Sequence, residues 1–192
     1  MKNVSSKKKL INATIEAIYL NGLSSVTTAK IAKIANLSEA MIYKHFGNKD
    51  EMIKDSFMEI KADLNSYVQS KIIPDMDFET KCYNIWLAYV DYFIQNHKNL
   101  RVLNQVEHSN YMTDKIRDDY LNRSRTVITF FQSGIEQNIF KPMHIEIAVA
   151  LFFSPILSIA ESIIEKRLDR SEETLNMCYN STMDALKIRR KY

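Results

Sequence analysis

An all-α fold is what this sequence predicts, and three observations carry that reading. Glycine and proline each occur only 3 times in 192 residues, against usual levels of about 7% and 5%. Sandwiches, barrels and Gly-rich nucleotide-binding folds need many tight turns built from those residues. Apolar residues recur instead at helical spacing. Finally, 46% hydrophobic and 26% charged residues is the balance of a chain that buries a core rather than one that stays disordered. Its length suits one or two domains without a disulfide or metal staple.

The elements follow in order. A first helix is predicted from about Ser6 to Asn21, capped by Ser5 or Ser6, with Ile11, Thr14, Ile15, Ile18 and Tyr19 at helical spacing. Gly22 then supplies the left-handed residue that commonly ends a helix. After a loop over Leu23–Val26, Thr27 opens a second helix whose apolar face is Ile31, Ile34 and Ala35, with Ala32 small enough for close packing. Asn36-Leu37 turns the chain, and Ser38 caps a third helix, Glu39 to Phe46. Gly47-Asn48 breaks it before a longer helix begins near Lys49-Asp50. Two short helices joined by a brief turn, after a longer first one, describe a helix-turn-helix unit. Longer helices are expected at about 50–70, 78–96, 99–109, 113–139, 143–167 and 171–190, so about nine in total.

Charge is unevenly divided. Residues 1–54 carry nine lysines and four acids, although the whole chain has a net charge of only +3. A basic small unit joined to a slightly acidic larger one points to a polyanionic partner for the first part, or to a solvated lysine surface. Cys82 and Cys178 form no CxxC and read as small hydrophobes in a reducing cytoplasm. The N-terminal stretch lacks the apolar core and cleavage site of a signal peptide. Ile145 to Ile164 is apolar, but Glu146 and Glu161 limit its uncharged run to 14 residues, short of the roughly 20 that span a bilayer. It reads as a buried helix or an oligomer interface.

On a wheel of 100° per residue, Ile42 and Phe46 of the third helix fall together and face inward. Ala40 and Lys44 lie opposite, flanked by Met41 and Tyr43, with His45 near the C-terminal end. This is suitable chemistry for reading DNA. Ala40 permits close approach to base edges, and Lys44 can reach a guanine edge or a phosphate. Tyr43, His45 and Lys49 can donate to phosphate oxygens, which fixes register. Thr27, Thr28 and Ser38 stand at helix starts, whose positive ends face the backbone of a nucleic acid. Singly, each of these could be an ordinary surface residue; their combination in the basic part of the chain favours a reading head.

The stretch from Thr27 to Met52 resembles the DNA-binding motif of TetR-family transcriptional regulators, with matches at Thr27, Thr28, Ile31, Ala32, Ala35, Ser38, Tyr43, His45, Phe46 and Lys49. Asn36-Leu37 stands where that motif has Gly-Val, and Met52 where it has Leu. Asn fits the turn because it visits the left-handed region readily. The resemblance implies a DNA-binding domain over 1–50, with its helix-turn-helix at about 27–46, and a helical effector-binding and dimerisation bundle over 51–192.

In that second part, residues 82–94 are apolar around most of the helix, as in a bundle centre. Trp86, Tyr89, Phe93, Tyr120 and Phe131 are candidate effector contacts, with Asn104 and His108 as polar partners; plain core packing is the alternative for each aromatic. The last two helices are the expected dimer interface by resemblance, through Leu151, Phe152, Pro155, Ile156, Ile159, Ile163, Tyr179 and Met183. The expected partners are thus an operator duplex, a hydrophobic or aromatic small molecule and a second copy, with no membrane, metal or cofactor. GxSxG, GxGxxG, P-loop and HExxH motifs are absent, and the four histidines lack ligand spacing. Catalysis is not expected. A protein-interaction adaptor with a non-reading helix-turn-helix is the remaining alternative.

Overall fold

Nine helices of eight residues or more occur among the residues that the structure, a computed structural model, describes: 5–114, 116–118 and 125–188. They are α1 Ser6–Asn21, α2 Thr28–Ala35, α3 Glu39–Phe46, α4 Lys49–Gln69, α5 Phe78–Gln95, α6 His97–Glu107, α7 Arg125–Glu136, α8 Ile145–Ile164 and α9 Glu172–Leu186. A 3-10 turn, Leu23–Ser25, follows α1. The all-α expectation holds, and most boundaries fall within two or three residues of those predicted. The exceptions are α9, which stops at Leu186, and the helix expected over 113–139. Much of that helix's first half lies outside the described residues, and α7 ends at Glu136 because Asn138 turns left-handed, at φ 55°. The amides of Ile139 and Phe140 then both donate to Gly134 O. The chain pairs there in one isolated antiparallel bridge, Phe140 with Lys187.

Packing divides the chain into two compact units, Met1–Asp63 with Lys98–Tyr120, and Leu64–His97 with Leu121–Tyr192. This differs from a division by motif at residue 50, because α6 joins the first unit. There, α1 packs on the 3-10 turn, α2 and α3. Its buried positions, Leu10, Ile11, Ala13, Thr14, Ala17 and Ile18, keep the i, i+3, i+4, i+7 spacing of one helix face. Ser5 caps α1 by accepting from the Lys8 amide at 3.3 Å. The residues of α6 add side-chain ties: Gln105 Oε1 accepts from the Leu23 amide at 2.7 Å, and Lys98 pairs with Glu16. Glu107 pairs with Lys61 at 2.6 Å.

In the second unit α8 packs against α5, α7 and α9. Aromatic rings fill much of the space. Phe78 stacks on Phe130 with centroids 4.5 Å apart, and Phe131 meets Phe152 edge-on at 5.0 Å. Phe140 touches both Phe78 and Phe131. Gly134 of α7 exists for this cluster: a Cβ there would stand 2.6 Å from ring carbons of Phe140 and Phe78. Helix starts are capped by acceptors. Asp77 accepts from the amide and hydroxyl of Thr80, hydrogen bonds that hold its carboxyl below the usual range. Pro155 removes one hydrogen bond in the middle of α8 without ending the helix.

Helix α8 is long and apolar enough to cross a membrane by length and composition, and only 22% of its most apolar stretch is buried. Its uncovered side includes Ile147, 52% exposed, and Leu151. On α9, Met177 is 64% exposed.

Two outcomes follow from this packing. Gly134→Ala should lower the unfolding free energy by about 1–3 kcal/mol in denaturant titration, because overpacking outweighs the helix propensity gained. Burial pushes the Cys82 thiol up to about 12, while Cys178 is only half-buried. An aromatic disulfide reagent at neutral pH should therefore label Cys178 in the native protein and reach Cys82 only on unfolding.

Candidate nucleic-acid interface

The second helix begins as its sequence dictates: Thr27 is extended and its hydroxyl accepts from the Lys30 amide at 3.3 Å. It ends at Asn36, whose φ of 52° and ψ of 48° are left-handed. The Leu37 amide then donates to Ala32 O and the Asn36 amide to Lys33 O, the two bonds of a Schellman cap. This turn is what aims α3. Ile31 and Ala32 are buried on α2, whereas Ile34, expected on the same apolar face, is 42% exposed.

Helix α3 presents the faces expected of it. Ile42 and Phe46 are buried. Ala40, Tyr43 and Lys44 are exposed, Tyr43 to 56%, and Met41 is half-buried. Ser38 occupies the cap position without a side-chain bond to the helix, so its exposed hydroxyl is not used in capping. Two other candidates are engaged within the head, and a third, His45, is half-buried. Thr28 Oγ1 donates to Glu39 Oε2 at 2.6 Å, which links the start of α2 to the start of α3. Lys49 Nζ donates to Val26 O at 3.3 Å and lies 5.9 Å from the Tyr111 ring centroid; its remaining N–H groups can still meet a phosphate. His45 Nε2 is buried without a hydrogen-bond partner, so a phosphate contact from His45 requires Nδ1.

The lysines are not equivalent. Lys7 pairs with Asp55, Lys8 with Glu59 and Lys54 with Glu51, and Lys30 Nζ donates to Ser25 O at 2.9 Å. Among the described residues, Lys9, Lys33 and Lys44 are exposed and have no ion pair. Lys33, Lys30 and Glu39 thus join the candidate surface although sequence reasoning did not single them out. The basic composition of the segment was a signal for the lysines; none pointed to Glu39.

In the second unit a groove of about 510 Å³ opens between the end of α4, α5 and α7, with Val68, Ile72, Ile85, Val127 and Phe130 on its apolar walls. Of the predicted effector contacts that lie among the described residues, only Phe131 lines it. Trp86 is buried 5.7 Å from the Tyr179 ring, Tyr89 meets Phe153, and Phe93 is buried beside Tyr92. Asn104 and His108 fall in the first unit, and Tyr120 lies outside the described residues. The predicted interface residues also separate. Phe152, Ile156, Tyr179 and Met183 are buried. Leu151 is exposed, and Pro155, Ile159 and Ile163 are half-buried. Hydrophobicity alone did not distinguish these two groups.

Comparison with known proteins agrees with this geometry. Residues 10–55 match the model of bacterial regulatory proteins of the tetR family. Residues 78–187 match that of the tetracyclin repressor-like C-terminal domain. The chain belongs to the TetR family of DNA-binding transcriptional regulators. It is 19% identical over 137 residues to the uncharacterised HTH-type transcriptional regulator YhgD of Bacillus subtilis, covering 71% of each chain. It is 39% identical over 62 residues to the HTH-type transcriptional regulator BetI 1 of Chromohalobacter salexigens, about a third of each. Its fold is similar to that of a TetR family transcription regulator from Marinobacter aquaeolei VT8, with a TM-score of 0.90 at 19% identity over 96% of both chains.

The turn yields a direct check. Asn36→Val places a β-branched residue in the left-handed region and should cost about 1–2 kcal/mol of stability, measured by denaturant unfolding. Asn36→Gly should retain both stability and DNA binding.

Proposed function

We propose that this regulator is a homodimeric repressor. Two copies hold a palindromic operator, and a small, mostly hydrophobic or aromatic effector bound in the second unit releases it. The observation that carries the DNA half is the outward set on α3: Ala40, Tyr43 and Lys44 are exposed while Ile42 and Phe46 are buried. A short helix so oriented offers a small residue to base edges, a cation to guanine or phosphate and a hydroxyl to the backbone. Two such helices related by a two-fold axis read half-sites about 34–36 Å apart, or a multiple of that.

The uncovered apolar side of α8, with Ile147 and Leu151, supports self-association, as does exposed Met177 on α9. The groove bounded by α5 and α7 supports an effector, since its volume of about 510 Å³ lies within the common range for ligand sites. An effector that favours the state unable to fit successive major grooves lowers operator affinity. Coupling of this kind is typically about 1–3 kcal/mol, or about 5- to 150-fold. This work is cytoplasmic and involves no cofactor or membrane.

Selection of bound fragments from a random duplex pool, followed by a salt titration of the winning sequence, tests the reading. The expected winner is a palindrome bound by a dimer, with log affinity falling by about 0.9 per phosphate contact for each decade of salt. Lys44→Ala should cost about 1–3 kcal/mol and relax the preference at one base pair if the ammonium meets guanine. Tyr43→Phe should weaken all sequences alike. A monomer that prefers no sequence would favour the adaptor reading instead.

A further inference from the structure

Among the described residues the groove of the second unit has one charged group on its wall, and that charge is positive. Lys81 lines it together with Phe130, and its ammonium lies 5.2 Å from the Phe130 ring centroid. The acids beside it on α5 are already engaged. Asp77 accepts from the Thr80 amide and hydroxyl, and Glu79 pairs with Lys187 at 2.9 Å. Among the described residues Lys81 has no ion pair of its own, and no carboxylate lines the groove. Hydroxyls add to the polar side: Thr126, Thr129 and Ser133 stand on one stripe of α7.

We propose that this groove binds an amphiphilic carboxylate, its head group on Lys81 and its apolar body along Ile72, Ile85, Val127 and Phe130. One ammonium balances one carboxylate charge, and an ionised partner makes the stronger class of hydrogen bond. A phosphate monoester carries about −1.5 to −2 at neutral pH, which would leave charge uncompensated against an apolar wall. A cationic ligand would face Lys81 with no acid to offset it. An uncharged ligand would leave the cation half-buried and without an anionic partner. The proposal rests on the effector reading only for its regulatory meaning; binding in the groove is a separate claim.

Calorimetric titration of the full chain with octanoate and 4-butylbenzoate, each against its alcohol, 1-octanol and 4-butylbenzyl alcohol, tests it. At least one carboxylate should bind about tenfold or more tightly than its alcohol. Lys81→Met should bring the carboxylate to the level of the alcohol and leave the alcohol unchanged. Val127→Trp, which fills the groove, should abolish both, with circular dichroism confirming the fold; Thr129→Trp at an exposed position does the same if that variant does not fold. Equal binding of acid and alcohol, no binding of any probe, a preference that survives Lys81→Met, or indifference to groove filling overturns the proposal. A carboxylate that binds in this pattern but does not release operator DNA supports the groove assignment and counts against the effector reading alone.

Discussion

Burial of Ile42 and Phe46 is the constraint from which the proposed reading surface follows. The two lie one helical turn apart on an eight-residue helix, and covering each large apolar side chain is worth about 1.5–3 kcal/mol. Rotating α3 by half a turn would expose both and carry Lys44 toward the core, where an unpaired ammonium is costly. Ala40, Tyr43 and Lys44 therefore face outward because their neighbours cannot. The left-handed Asn36 completes the constraint, since it opens the three-residue turn that joins α2 to α3. Close approach to a duplex is thus set by packing inside the head before any nucleic acid arrives.

Electrostatics refines the picture rather than founding it. The lysine-rich composition of the first 54 residues suggests a diffuse positive field, yet several of those cations close contacts within the head. Lys7, Lys8 and Lys54 have carboxylate partners, and Lys30 and Lys49 reach backbone carbonyls. Such half-exposed pairs contribute little to stability, about 0–1 kcal/mol each. The charge left for a polyanion lies on Lys9, Lys33 and Lys44, which have no such partner among the described residues.

Much of the head was legible in the sequence because its signals are local. Helical spacing gave α1, Thr27 and Ser5 marked helix starts, and Asn36 marked a turn that only a few residue types enter without strain. Other features depend on residues far apart in the chain. The Thr28–Glu39 bond exists only once the turn fixes the angle between two helices. The 82-residue span from Leu23 to Gln105 carries no local trace. In the second unit the same limit appears as ambiguity among apolar residues. Phe152 and Leu151 are neighbours in sequence and both hydrophobic, but one is enclosed by Phe131 and Phe153 and the other faces outward. Lys81 went unnoticed because a lone lysine acquires meaning only when an apolar wall is folded around it.

The tie between Gln105 and the Leu23 amide bears on how the molecule is born. A ribosome delivers the chain from the N-terminus, and domains generally fold as units while this happens. Here the first unit is not complete when its three opening helices have emerged, because Glu16, Leu23 and Lys61 find their partners on a segment that leaves the ribosome only after α5. The nascent head must therefore stay open, or close provisionally, while the first helix of the other unit is being made.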